Sequence, residues 1–199
     1  MVLLSAALVS TSLAAAMTPA VPSFELQAAE LQSQVAALRA EQVEAKAGHL
    51  GPQIDNLAWK LQRYERDASS LRSELSRLLA RVRGSPDSTL RWDLQNFNRE
   101  LALLTRDSRW RLADLRAISA QAEKDPDLVS PTQRLRSAAR WLRDDVRWLA
   151  FDARFAYMDY ARAGFALEGM DLERESRDLD SLTQDLQNEA DGLFDKVQN

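Results

Sequence analysis

The feature that most constrains this chain is an unbroken apolar seam. Ile54, Leu57, Leu61, Tyr64, Ala68, Leu71, Leu75, Leu78 and Val82 follow one another at alternating steps of three and four residues. That spacing aligns nine side chains on one stripe of an α-helix, whereas a strand needs a period of two. Sustained over four heptads, it predicts a long helix over residues 52–83 with a coiled-coil-like seam. At 1.5 Å per residue, such a helix is a rod of about 48 Å. A rod with one apolar stripe must bury that stripe against other helices, so the seam points to a bundle.

The same grammar recurs along the chain. Phe24, Ala28, Leu31, Val35, Leu38 and Ala45 predict a helix over about 24–47, opened by Ser23 and closed by Gly48-His49-Leu50-Gly51-Pro52. Leu90, Leu94, Phe97, Leu101, Leu104, Leu112, Leu115, Ile118 and Ala122 predict another over about 86–123. Ser108 and Arg111 fall where apolar residues are due, which reads as a stutter. Ser130-Pro131-Thr132-Gln133 reads as a capping box opening a helix over about 131–167. Asp171 is the expected cap of a last helix over about 171–197, carried by Leu172, Leu179, Leu182, Leu186, Ala190, Leu193 and Val197. The joint around Gly164 and Gly169 leaves open whether the last two helices are one bent helix. With only six Gly and six Pro in 199 residues, a sheet-rich fold lacks its turn residues. The expected fold is all-α: an elongated, mostly antiparallel bundle of four to five long helices in a single domain over 17–199. The three helices from about 52 to 168 resemble a spectrin-type bundle in length, with a Trp near helix starts; the resemblance implies a fold and no function.

Residues 1–16 carry no charge and end in small residues at Ala14 and Ala16, the pattern of a secretory signal cleaved after about Ala16. No Lys or Arg precedes the apolar run, so a cytoplasmic protein with an apolar N-terminus is the alternative to export to the periplasm or beyond. No stretch reaches 18 apolar residues, so no transmembrane helix is expected. The net charge is −4 and unevenly spread. Residues 168–199 hold ten acids against Arg174, Arg177 and Lys196, leaving that segment at −7 and the remainder at +3. Arg and acid alternate closely elsewhere, as in Arg106-Asp107 and Arg143-Asp144-Asp145. A nucleic-acid binder needs a clustered basic face, so pairing between neighbouring helices is the expectation.

Catalytic constellations are missing from the sequence. With no Cys, there is no thiolate chemistry and no Cys-bound zinc or haem. The single His49 sits in what reads as a solvated turn. There are no Glu-x-x-His pairs for a di-iron bundle and no Gly-rich phosphate loop. Asp145, Asp152 and Asp159 share a helix face and could bind a hard cation. Interleaved with Arg147, Arg154 and Arg162, they read instead as paired charges. No enzyme activity and no cofactor is expected.

Arg and Trp are interleaved at Arg91-Trp92, Arg109-Trp110, Arg140-Trp141 and Arg147-Trp148. Both residue types are enriched in binding hot spots, and they also stack on each other within one bundle. Trp59-x-Leu61-x-x-Tyr64-x-Arg66-Asp67 matches Trp92-x-Leu94-x-x-Phe97-x-Arg99-Glu100 at a spacing of 33, with each Trp off the seam. Two off-seam Trp suggest a second layer of packing. The 131–167 helix carries two apolar stripes. One is Leu135, Leu142, Val146, Leu149, Ala153, Tyr160, Ala163 and Leu167; the other is Trp141, Trp148, Phe151, Phe155 and Met158. One bundle core needs one stripe. The protein's own first or last helix is expected to cover the second stripe, and a partner is the alternative. The candidate interaction surface is therefore Trp141, Trp148, Phe151 and Phe155, with Trp59, Trp92 and Trp110. The expected function is that of an exported, non-enzymatic structural or protein-interaction module that binds a protein partner or itself. A chaperone or lipid-handling protein of the envelope, using the aromatic stripe, is the alternative.

Overall fold

The computed structural model describes the backbone of residues 24–84 and 89–199, and the side chains of 49–84 and 89–199. Residues 1–16 and the apolar face of the 24–47 segment lie outside the described residues. The chain divides into two units, residues 1–43 and 44–199. The described residues form four helices and no strand: α1 (Phe24–Arg83), α2 (Leu90–Gln121), α3 (Pro126–Arg162) and α4 (Ala166–Gln198). The first unit contributes the start of α1. The second is a four-helix bundle, and the following concerns it alone.

The seams form its core. From Ile54 to Val82 every seam residue is buried except the half-buried Tyr64, and all eight seam residues of α2 are buried, as is Ala122 just after it. The expected break at residues 48–52 is absent: α1 runs through Pro52. A proline inside a helix costs about 3 kcal/mol through the lost hydrogen bond and the ring's clash with the preceding turn. Leu50 and Ile54, both buried, flank it. At about 1.5–3 kcal/mol for each fully buried side chain, their burial outweighs that cost.

Pro131 is likewise internal to α3, and the Ser130 capping box is not used. The helix starts five residues earlier, at Pro126. There the Asp125 carboxylate accepts a hydrogen bond from the Asp127 amide at 2.9 Å, and Pro occupies the first helical position. Ser130 instead accepts a hydrogen bond from Arg134 at 2.7 Å. The Asp125 amide donates to the Val197 carbonyl at 3.2 Å, so the short α2–α3 connection is tied to the far end of α4.

The last two helices are separate. Gly164, at φ +87°, takes the left-handed conformation that L residues avoid, and ends α3. The Phe165 amide donates to Tyr160 O at 2.8 Å and the Gly164 amide to Ala161 O at 3.2 Å, the paired bonds of a left-handed C-terminal cap. The helix α4 therefore begins at Ala166, and Asp171 lies inside it. The early turn also moves Leu167 out of the core, where the seam placed it; it is exposed.

Bonds between helices give the topology. Arg134–Asp55, Arg72–Asp152 and Arg83–Asp159 join residues 79, 80 and 76 apart, a near-constant offset that makes α1 and α3 parallel neighbours. Gln95–Glu168 and Ser119–Lys196, 73 and 77 apart, do the same for α2 and α4. Arg136–Asp191 and Arg143–Gln187, 55 and 44 apart, show α3 and α4 to be antiparallel. Arg81–Asp93 joins α1 to α2 across their hairpin. The backbones of α2 and α4 pack closely, as do those of α3 and α4, while α2 and α3 make no close approach and lie on the diagonal. Consecutive helices thus alternate in direction, and each has one parallel neighbour. These partly exposed ion pairs add about 0–1 kcal/mol each, so they set register more than stability.

Candidate interaction surface

The inner stripe of α3, from Leu135 through Leu142, Val146, Leu149, Ala153 and Ala156 to Tyr160, has no exposed surface. The outer stripe points away from it. Trp141, Trp148, Phe151, Phe155 and Met158 are each 52–55% exposed. Within the 44–199 unit the expected cover by the last helix is not observed: α3 faces α1 on one side and α4 on the other, and the outward face of α3 stays open. Nor does a second layer cover the off-seam Trp59 and Trp92, which are 55% and 65% exposed. Within the 44–199 unit, four helices close a square around one core and none is left over to build that layer.

The outer stripe is ordered through ring contacts. The rings of Trp148 and Phe151 meet edge to face at 5.9 Å, and those of Phe151 and Phe155 at 4.8 Å. The Arg72 guanidinium, held by Asp152, lies over the Trp148 ring at 5.5 Å. The aromatic ladder is therefore set in place on one flank by α1 and left open outward. On the other flank a groove of about 600 Å³ runs between α3 and α4, with Trp148, Phe151, Arg147 and Arg154 on one wall and Glu173 and Arg177 on the other.

The seven candidate residues do not form one surface. Trp141, Trp148, Phe151 and Phe155 share the outward face of α3. Trp92 and Trp110, eighteen residues and so five turns apart, share the outward face of α2, on the diagonal of the bundle from α3. Leu103, also exposed, lies on that α2 face. Trp59 stands on α1. Arg and Trp adjacent in sequence do not stack, because neighbours in a helix point about 100° apart. The guanidinium over Trp148 comes from another helix, and the one over Trp110 is Arg106, one turn back, at 5.0 Å.

Two of the three members of the Asp column of α3 are taken up by arginines, mostly those of α1, and Asp145 makes no ion pair among the described residues. Asp152 pairs with Arg72, and Asp159 with Arg83 at 2.7 Å and with Arg162 at 3.8 Å. Arg147 and Arg154, which the interleaving suggested as partners, make no ion pair among the described residues. Two polar features were not visible in the sequence. Buried Glu168 accepts from Gln95 and sits 3.3 Å from Arg91, whose guanidinium also lies over Phe165, fastening the α3–α4 turn to α2. Tyr160 is fully buried with no hydrogen-bond partner for its hydroxyl. Burial, then the charge of Glu74, pushes its phenol above the ordinary 10.0. Among the described residues no helix is long and apolar enough to cross a membrane. No protein-family model, curated protein or solved structure matches the chain.

Proposed function

We propose that this protein is a non-enzymatic interaction module, exported through residues 1–16, whose binding surface is the outward face of α3. The observation that carries the reading is the ladder Trp148–Phe151–Phe155: three large rings, each about half exposed, held edge to face on one rigid helix. Contiguous aromatic surface of this kind marks an interface, and rings already fixed in place lose little entropy on binding. Neighbouring arginines fit the same use, since Arg and Trp dominate interface energetics.

The test is the double change Trp148→Ala with Phe155→Ala. Neither residue belongs to the core, so the expected stability change is about 1 kcal/mol or less. Association with a partner, followed by light scattering and by crosslinking in the native envelope, is lost. A sharp fall in melting temperature would return the stripe to the core and remove the proposal. The groove between α3 and α4 favours a second reading, a lipid-handling role, because it combines aromatic wall with arginine rim. Uptake of a fluorescent fatty acid, abolished by Phe151→Asp, supports that alternative; no uptake removes it.

A further inference from the structure

Resting on the interaction-module reading, we infer that the partner of the α3 face is a second copy of this chain, with the two α3 helices packed side by side and parallel. The outward residues are Trp141, Asp144, Trp148, Phe151, Phe155 and Met158, at steps of three, four, three, four and three. Five of the six are large, apolar and 52–55% exposed. This is a second heptad seam on a helix whose first seam already fills the core, and a heptad seam is the pattern by which one helix receives another.

The charges beside the seam choose the partner. On one flank stand Arg140, Arg147 and Arg154; on the other, Asp145, Asp152 and Asp159, each set spaced by seven. These are the two positions that border a heptad seam. In a parallel pair, each residue of the first flank faces the residue five places on in the other copy. Arg140 then meets Asp145, Arg147 meets Asp152 and Arg154 meets Asp159, and twofold symmetry repeats all three. An antiparallel pair sets Arg against Arg and Asp against Asp. The chain is complementary to itself in the parallel arrangement alone. Arg147, Arg154 and Asp145 have no ion pair or hydrogen bond of their own among the described residues, so they are free to make these contacts. Asp152 and Asp159 keep Arg72 and Arg83, and a carboxylate has acceptor sites for a further guanidinium.

The seam is long enough. From Trp141 to Met158 it extends about 26 Å. Five side chains of roughly 150–250 Å² each, half open, contribute roughly 500 Å² per copy. Arginine stems carry the total towards the roughly 800 Å² per partner of a standard interface. Asp144 is the one polar member. Like other polar residues in such seams, it fixes register at the expense of affinity.

The chain has no Cys, so one introduced thiol reports one contact. The full chain is examined by sedimentation over a concentration series, and Asp144→Cys and Met158→Cys are each oxidised mildly, with Asp178→Cys on α4 as the control. The proposal expects a concentration-dependent dimer and rapid disulfide-linked dimers from both seam variants but not from the control. It also expects at least tenfold weaker dimerisation for the combined Arg140→Glu, Arg147→Glu and Arg154→Glu, and tighter dimerisation for Asp144→Leu. An antiparallel pair can join only one of the two seam positions to itself, so a disulfide at one position alone overturns the parallel arrangement. A wild-type chain that stays monomeric throughout overturns the second copy as partner. If that monomer still binds another protein or anionic vesicles through Trp148 and Phe155, the α3 face remains a binding surface with a different occupant. If it binds none of these, the interaction-module reading falls as well.

Discussion

Gly169 and Gly192 both lie inside α4, yet alanine at these two sites should move stability in opposite directions. A Cβ built on Gly169 lies 3.1 Å from Tyr157 Cδ2, 3.1 Å from Tyr160 Cβ and 3.4 Å from Tyr157 Cα. Tyr157 has an exposed side from which its ring can yield. Tyr160 is fully buried and its Cβ moves only with the backbone of α3, so the two helices must separate. Overpacking of this kind costs about 1–3 kcal/mol, more than the gain of about 1 kcal/mol from replacing a helical glycine. At Gly192 a Cβ meets nothing within 4 Å, and the gain stands alone. The expected difference between the variants is therefore about 1–3 kcal/mol. For a domain of this size, it corresponds to roughly 2–12 °C in Tm. Urea unfolding followed by far-ultraviolet circular dichroism measures both. Equal stabilisation by the two substitutions would refute the close packing of α3 on α4 that brings the aromatic face to its position.

Adjacent residues on α3 give a second contrast: Leu149→Ala, at a fully buried site, should cost about 2–5 kcal/mol, and Trp148→Ala about 1 kcal/mol or less, read from the same unfolding curves. Tyr160→Phe removes a buried hydroxyl that has no partner and should be neutral or stabilising at pH 7. Because the fold raises the phenol's pKa, its contribution is complete below about pH 10 and is lost as pH rises further, so the variant should resist alkaline unfolding better than wild type. Equal alkaline midpoints would show that the phenol does not sense burial.

Much of this architecture was legible in residue spacing, because a step of three and four has one structural meaning over several heptads. The seams named most core residues; they missed Leu50, Ala58, Leu128, Ala138, Ala139 and Ala156, and they placed the exposed Leu167 in the core. Helix boundaries were read less well. Pro52 and Pro131 look like starts when judged by local chemistry, but burial on either side holds the helix through each of them. Ser130 has a good capping sequence, and Asp125 caps α3 instead because its own amide is also anchored to Val197. Two stripes on α3 were visible, but spacing could not tell whether the second is covered. Within the 44–199 unit it is not, because a four-helix square closes on the stripe of Leu, Val and Ala and leaves the row of Trp and Phe outside. The flanking arginine and aspartate columns were present in the sequence too. They gain their meaning only once the stripe between them is known to face outward.

The most direct measurement is hydroxyl-radical footprinting of side chains across a protein concentration series. It reports the solvent exposure of Trp148, Phe151, Phe155 and Met158 and, in the same sample, of Trp92 and Trp110 on the diagonal helix. The account expects the α3 residues to become protected as concentration rises while the α2 tryptophans stay reactive. Constant reactivity on both faces at every concentration, or protection of the α2 face alone, would contradict it.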